Sequence, residues 1–273
     1  RNAALAKAKG EIILFLDNDT EVTVDWIGGF LRVFDEQPDA GAAQSLLLDF
    51  NRRNLIQMAG GVLSPQTGWL LPFYQWEEYR KIKNKLTPFP IIGVSAALAV
   101  KKEVIVKIGG FDEKEGIHTE DLDFCWRIWI AGFKIYLAPT SIVLHRTKSL
   151  EEREKMNATL DKVYFSLAKN SMRSMIKNYE LVNLLKYLPA SFVINFGRGL
   201  LYLASKKSAA ALRGTIKGVV WNLLNFFDTF TRRKQVQASR KFSDEQIFTE
   251  AMSRNSFVDQ YRKYFTRGNG KNY

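Results

Sequence analysis

The chain of 273 residues is 46% hydrophobic and 13% aromatic, enough to bury a sizeable core and too apolar for a disordered polymer. Its single cysteine, Cys125, excludes an internal disulfide framework and a cysteine-rich zinc site, and fits a reducing compartment. The net charge of +12 is unevenly spread: residues 1–145 hold 16 basic and 18 acidic side chains, residues 146–273 hold 24 and 10, so the two halves have different partners or jobs.

Residues 1–10, R-N-A-A-L-A-K-A-K-G, read as a helix ending at Gly10, with no signal-peptide pattern after Arg1. It runs at once into residues 11–16, an apolar run expected of a strand buried on both faces. A parallel sheet needs strands before that helix, so the chain is expected to be an N-terminally truncated piece of its fold. Residues 25–36 carry Trp26, Ile27, Phe30, Val33 and Phe34 at helical spacing, and Pro38 closes the helix. Residues 41–49 suit a second strand, 55–68 a glycine-containing loop or hairpin, and 69–85 an aromatic and then charged cover. Small residues punctuate the apolar run 91–100. A short helix at 102–108 is closed by Gly109-Gly110, and a longer one at 119–131 has Thr119 as its N-cap. Short strands at 134–137 and 141–144 flank Pro139. Alternating strands and helices predict an α/β fold with a mostly parallel sheet over residues 1–150. Residues 151–273 form a second, helical and basic region, with apolar helices broken at Pro189, Arg198 and Lys206-Lys207 and a polar tail from Phe242.

The chemistry concentrates at strand ends. In open α/β sheets ligands bind beyond the carboxyl ends of the strands. There I-I-L-F-L-D-N-D-T places Asp17 and Asp19 on one side of an extended segment, with Asn18 pointing away. Two hard oxygen ligands suit Mg²⁺ or Mn²⁺ completed by phosphates and water. The plainer alternative is an Asp/Asn turn. H-T-E-D-L-D puts Glu120 and Asp121 in the first turn of a helix, where the dipole alone also favours carboxylates. Asp123 is expected to face solvent or an arginine. His145 ends the last strand in S-I-V-L-H-R; a lone histidine is usually structural, yet neutral imidazole binds Mn²⁺ well.

Taken together, R-N-A-A-L-A-K-A-K-G, the apolar strand, D-N-D, V-D-W-I, G-V-S-A-A-L-A-V-K-K-E-V, G-G-F-D-E, T-E-D-L-D-F-C-W-R with A-G-F-K-I, and the late His145 resemble inverting family-2 glycosyltransferases of GT-A (Rossmann-like) fold. Val24 stands where that family usually has proline. Within the family the pattern most resembles bacterial rhamnosyltransferase-like enzymes of polysaccharide assembly. The resemblance covers residues 1–150. It implies a divalent metal on Asp19, Asp17 and His145, and a nucleotide-sugar donor contacted by Asp17, Asp19, Arg1 and Asn2. It further implies Asp121 as general base with Glu120 in support, and an acceptor-side loop at Gly110, Phe111 and Asp112. The acceptor would be a glycan or a lipid-linked glycan in cell-surface polysaccharide or glycolipid synthesis.

Residues 169–241 hold 14 basic and 2 acidic side chains among aromatics. That pattern suits a peripheral membrane surface at the cytoplasmic face, or a cytoplasmic helical bundle with a solvated basic face. Nucleic-acid binding is the rival suggested by the pI of about 9.6, but no such motif is present and D-N-D, E-D and His145 would be left without a role. A catalytically silent glycan- or nucleotide-sugar-binding module of the same fold is the other alternative.

Overall fold

A computed structural model of the chain describes residues 1–94, 96–146 and 160–251. Its strands are β1 (Ile12–Leu16), β2 (Thr20–Val22), β3 (Ala40–Asp49), β4 (Ile56–Met58), β5 (Gly61–Leu63), β6 (Leu70–Pro72), β7 (Ala97–Lys101) and β8 (Lys134–His145). One sheet runs β1-β7-β3-β8-β2 with β4 also paired to β3, and β5 and β6 form a separate hairpin. β3 and β8 are parallel, whereas β1–β7, β7–β3, β8–β2 and β3–β4 are antiparallel. The α/β class holds, with a mixed sheet where the alternation of elements predicts a mostly parallel one. β7 is the reason. It is reached through the loop after residue 85 and returns between β1 and β3 in the opposite direction, which requires no crossover helix.

β3 is buried along its whole length because both faces are covered. Its even positions Ala42, Leu46 and Leu48 join the large core with Trp126, Trp129 and Phe124. Its odd positions Ala43 and Leu47 face the other side, where Ala43 meets Phe30 and Val33 of α2 (Trp26–Glu36). β8 is one strand of twelve residues rather than two short ones; a register shift opposite Ser45 and Leu46 absorbs Pro139. β1 has only β7 as partner among the described residues. Only Phe15 of β1 is buried, so the expectation of burial on both faces fails there.

The first helix, α1 (Asn2–Leu5), is shorter than its sequence pattern suggests. α3 (Tyr79–Ile82) and α4 (Lys102–Ile108) follow, and α4 stops at Gly109, whose φ of 75° needs a residue without Cβ. α5 (Glu120–Ile130) is buried from Leu122 to Ile130 and carries the core aromatics. The C-terminal helices are α6 (Leu160–Asn178), α7 (Leu181–Lys206), α8 (Ala210–Leu224), α9 (Phe226–Ala238) and α10 (Asp244–Glu250). α7 runs unbroken through Pro189, and α6 packs on α5, α8 and α9. The first part of the expected helical region, 151–159, and the end of the polar tail, 252–273, lie outside the described residues. No described helix is long and apolar enough to cross a membrane.

Candidate active site

The segment D-N-D joins β1 to β2, the two edge strands of the described sheet. It is pinned from both sides. Asp17 N–H donates to Ala96 O at 3.0 Å, Thr20 Oγ1 donates to Asp17 O at 2.6 Å, and Arg146 N–H donates to Asp19 O at 3.0 Å. Thr20 lies directly opposite His145 in the β2–β8 ladder. This register brings one ligand atom each from Asp17, Asp19 and His145 within 4.8 Å of the others. His145 Nε2 is 3.4 Å from Asp19 Oδ1, while Nδ1 is 2.6 Å from Gln57 Oε1. An amide oxygen only accepts, so that contact puts a proton on Nδ1, and in the neutral ring Nε2 is then the nitrogen with a lone pair on the Asp19 side. Two carboxylates and one imidazole are a fitting partial donor set for Mn²⁺ or Mg²⁺. Asp17 and Asp19 are 35% and 44% exposed, which leaves open positions for phosphate or water.

Arg1 links this trio to α5. Its guanidinium donates to Asp17 Oδ1 at 3.1 Å and to Glu120 Oε1 at 2.7 Å, and it lies over the Phe111 ring at 5.2 Å. Asn2 is occupied differently from a donor-binding residue: its side chain bonds both the N–H and the C=O of Phe111, each at 2.9 Å. A groove of about 440 Å³ opens between Arg1, Ala3, Phe111, Glu113, Gly116 and Glu120.

Thr119 does not cap α5 with its side chain. His118 and Thr119 both adopt left-handed backbone, with φ of 70° and 64°, and the Thr119 hydroxyl oxygen finds no partner among the described residues. Two such non-glycine residues in succession are strained. Asn170 of α6 holds the turn by donating to the carbonyls of Ile117 and His118. Glu120 and Asp121 follow immediately, with Asp121 half-buried and its Oδ1 accepting from Leu122 N–H at 2.9 Å.

The acceptor-side residues have mixed fates. Phe111 is packed against Phe15 and Phe124, with ring centroids 5.3 and 4.4 Å away. Gly110 O accepts from Arg127 at 2.9 Å. Asp112 points inward, into a buried ion cluster that pattern reading missed. Lys177 donates to Asp112, Glu115 and Asp123 at 2.6, 2.8 and 2.9 Å. Arg173 grips Asp112 through two nitrogens and reaches Asp228 and Thr229. Asp123 faces neither solvent nor arginine alone: it is fully buried between Arg127, Lys177 and Asn178. Burial pushes the Asp112 and Asp123 carboxyls up, but Lys177 with Arg173 at Asp112, and Lys177 with Arg127 at Asp123, outweigh it and hold both below the usual range. Burial, then repulsion from Asp123, raises Glu115 to about 8 despite Lys177. With Glu115 neutral, the buried carboxylates Asp112 and Asp123 face the cations Arg127, Arg173 and Lys177, and Asp228 sits at the rim between Arg173 and Lys114. The traceable signal was the spacing of Lys169, Arg173 and Lys177, four residues apart on one helix face.

These features have counterparts in known proteins. The profile described as "Glycosyl transferase family group 2" matches residues 12–160, more than half of the chain. The chain belongs to that family. The match takes in D-N-D, the 109–123 segment and His145, and ends at the first residue of α6. Among curated relatives, the pre-mycofactocin glycosyltransferase of Mycobacterium tuberculosis is 27% identical over 209 residues, covering 75% of this chain and 41% of that protein. A probable N-acetylgalactosaminyltransferase 8 of Caenorhabditis elegans is 25% identical over 146 residues, 50% of this chain and 34% of the relative. The chain thus spans less than half the length of these relatives. Among solved structures, GalNAc-T7 with UDP, GalNAc and Mn²⁺ aligns with 96% of this chain and 44% of its own, at TM-score 0.52 and 16% identity. S. aureus TarS 1–349 with UDP-GlcNAc aligns with 98% of this chain and 71% of its own, at TM-score 0.50 and 13% identity. At these identities the likeness is one of fold, a GT-A glycosyltransferase fold that extends over the C-terminal helices.

Proposed function

We propose that this family-2 glycosyltransferase moves a sugar from a nucleoside-diphosphate donor to an acceptor hydroxyl in one inverting displacement. The observation that carries it is the convergence of Asp17, Asp19 and His145 to within 4.8 Å, bridged by Arg1 to Glu120 beside Asp121. Asp19, Asp17 and His145 would hold Mn²⁺ or Mg²⁺, which offsets charge growing on the leaving phosphates. Asp121 is the general base: the attacking hydroxyl must lose a proton as it approaches the anomeric carbon from the face opposite the leaving group. Glu120, fixed by Arg1, orients the acceptor in the groove beside Phe111. Donor recognition falls to Asp17, Asp19 and Arg1, since Asn2 is committed to the Phe111 backbone. The strained His118–Thr119 turn aims Glu120 and Asp121, and α6 holds that turn. The relatives include an O-antigen biosynthesis protein, RfbC of Myxococcus xanthus, 29% identical over 159 residues, in keeping with a cell-surface glycan as product. Nucleic-acid binding is disfavoured because Lys169, Arg173 and Lys177 are spent inside the protein.

The test is release of nucleoside diphosphate from a panel of sugar nucleotides, with and without Mn²⁺, by the purified protein and its Asp19→Ala and Asp121→Asn variants. Metal-dependent turnover should fall by about a hundredfold or more in each variant. Turnover indifferent to metal and to Asp19→Ala would remove the metal site from the reaction. Turnover that survives Asp121→Asn would require a different base.

A further inference from the structure

Helices α7 and α8 are inside out for a protein that meets only water. A helix on a water-facing surface turns its large apolar side chains inward. The first turns of α7 do lay Leu184, Tyr187 and Leu188 on the core, but from residue 191 on it buries Ser191, Asn195 and Gly199, and α8 buries Ala211, Gly214, Thr215, Gly218 and Asn222. The outward positions are large and apolar: Val182 and Leu201 of α7 are 78% and 64% exposed, Leu224 of α8 is 80%, and Phe227 at the start of α9 is 84%. The small inward residues let the helices touch. A Cβ on Gly214 would meet Asp161 O at 2.3 Å, and one on Gly218 would meet Lys169 N at 2.9 Å. The inward amides bond within the bundle: Asn195 Nδ2 donates to Ser191 O at 2.9 Å and Asn222 Nδ2 to Lys169 O at 3.0 Å. Small residues at the contact, amide groups donating across or along the inner face and bulk outside is how helices pack where their surroundings are hydrocarbon.

Charge selects the partner. Residues 181–227 contain six Lys or Arg and no Asp or Glu. A symmetric contact with a second copy would set this basic face against itself. No described helix is long and apolar enough to cross a membrane, so the face lies on a bilayer rather than through it. We infer that the outer face of α7 and α8, with the start of α9, docks on an anionic lipid surface. Its apolar side chains enter the boundary between headgroups and acyl chains, and the exposed Lys186, Lys206 and Lys207 meet lipid phosphates. α6 packs on α8 and also holds the 112–118 loop, so the docking face and the loop beside the site share one helix. The inference stands on the helices alone; sugar-nucleotide turnover and lipid binding can fail separately.

The experiment is co-sedimentation of the purified protein with phosphatidylcholine vesicles and with vesicles also containing phosphatidylglycerol. Binding to the anionic vesicles, weakened by salt, is expected. The double variant Leu201→Glu/Phe227→Glu should lower it at least about tenfold with an unchanged thermal melt. Because an apolar-to-acidic change can perturb folding, Lys206→Gln/Lys207→Gln serves as a second variant, with an expected loss of about thirtyfold. Absence of binding to either vesicle, or binding that neither variant weakens, would overturn the inference. So would a dimer in analytical ultracentrifugation that Leu201→Glu/Phe227→Glu dissolves without any lipid binding.

Discussion

Asp17, Asp19 and His145 stand half open at the strand ends, whereas Asp112, Glu115 and Asp123 are buried around Lys177. Both groups converge acidic side chains, and Glu120, in the first turn of α5, ties the open group to the helix that carries Asp123. They differ in where positive charge comes from. The buried group draws its cations from the chain: Lys177 and Arg173 from α6 and Arg127 from α5. Among the described residues the open group has only Arg1, which touches Asp17 and leaves Asp19 to His145. Carboxylates neutralised by fixed cations can be stripped of water and used as a clamp, while carboxylates kept wet retain the capacity to take a cation from solution.

The sharpest way to break this comparison is to remove a cation from the closed group and a carboxylate from the open one, and to compare stability. Lys177→Met leaves the buried carboxylates of Asp112 and Asp123 without the cation they share and Glu115 without its donor, and should destabilise the protein by about 3–5 kcal/mol. Asp19→Ala, at a half-exposed site, should change stability by less than ~0.5 kcal/mol while abolishing turnover. Urea unfolding of both variants is the measurement. Similar losses would mean that the open trio is as structural as the buried one.

The two groups were not equally legible. The extended strand end places Asp17 and Asp19 on one side, whereas His145 is joined to them only through the resemblance to family-2 glycosyltransferases. Asp112, Glu115 and Asp123 could not be placed, because the partner they share, Lys177, lies more than fifty residues away on α6. The basic half invites assignment to an outside partner, and Lys169, Arg173 and Lys177 instead turn inward. Local rules also lost to tertiary structure. Thr119 fits an N-cap pattern, but Asn170 holds the preceding turn in a left-handed form that takes the hydroxyl away. Pro189 reads as a helix breaker, yet it sits on the exposed side of α7, where the carbonyl it frees is not buried.

A smaller effect sharpens the comparison through pH. Glu115 has a folded value of about 8 against an ordinary 4.5, raised first by burial. An acid so raised binds more protons in the folded state, so its contribution is complete below 4.5 and is lost as pH climbs toward 8. Asp112 and Asp123 are depressed, and their contribution fails only in acid. The melting temperature should therefore decline across that upper window, and Glu115→Gln should flatten the decline. A decline that persists in the variant would assign it to another group.

The smallest expected effect tests whether the open site is organised at all. Gln57 is not a proposed ligand; it is a positioning residue that fixes the His145 tautomer through Nδ1. Losing such a partner leaves the imidazole free to turn and to carry its proton on either nitrogen, which usually weakens a metal site by about ten- to a hundredfold. Gln57→Leu should thus lower Mn²⁺ affinity by about tenfold in calorimetric titration. Gln57→Glu, which restores an acceptor, should recover it. A purely structural Gln57 would lower the melting temperature in Gln57→Leu and leave Mn²⁺ affinity alone. The buried cluster has no equivalent of this test, because its cations are held by the fold and do not depend on the protonation of one ring.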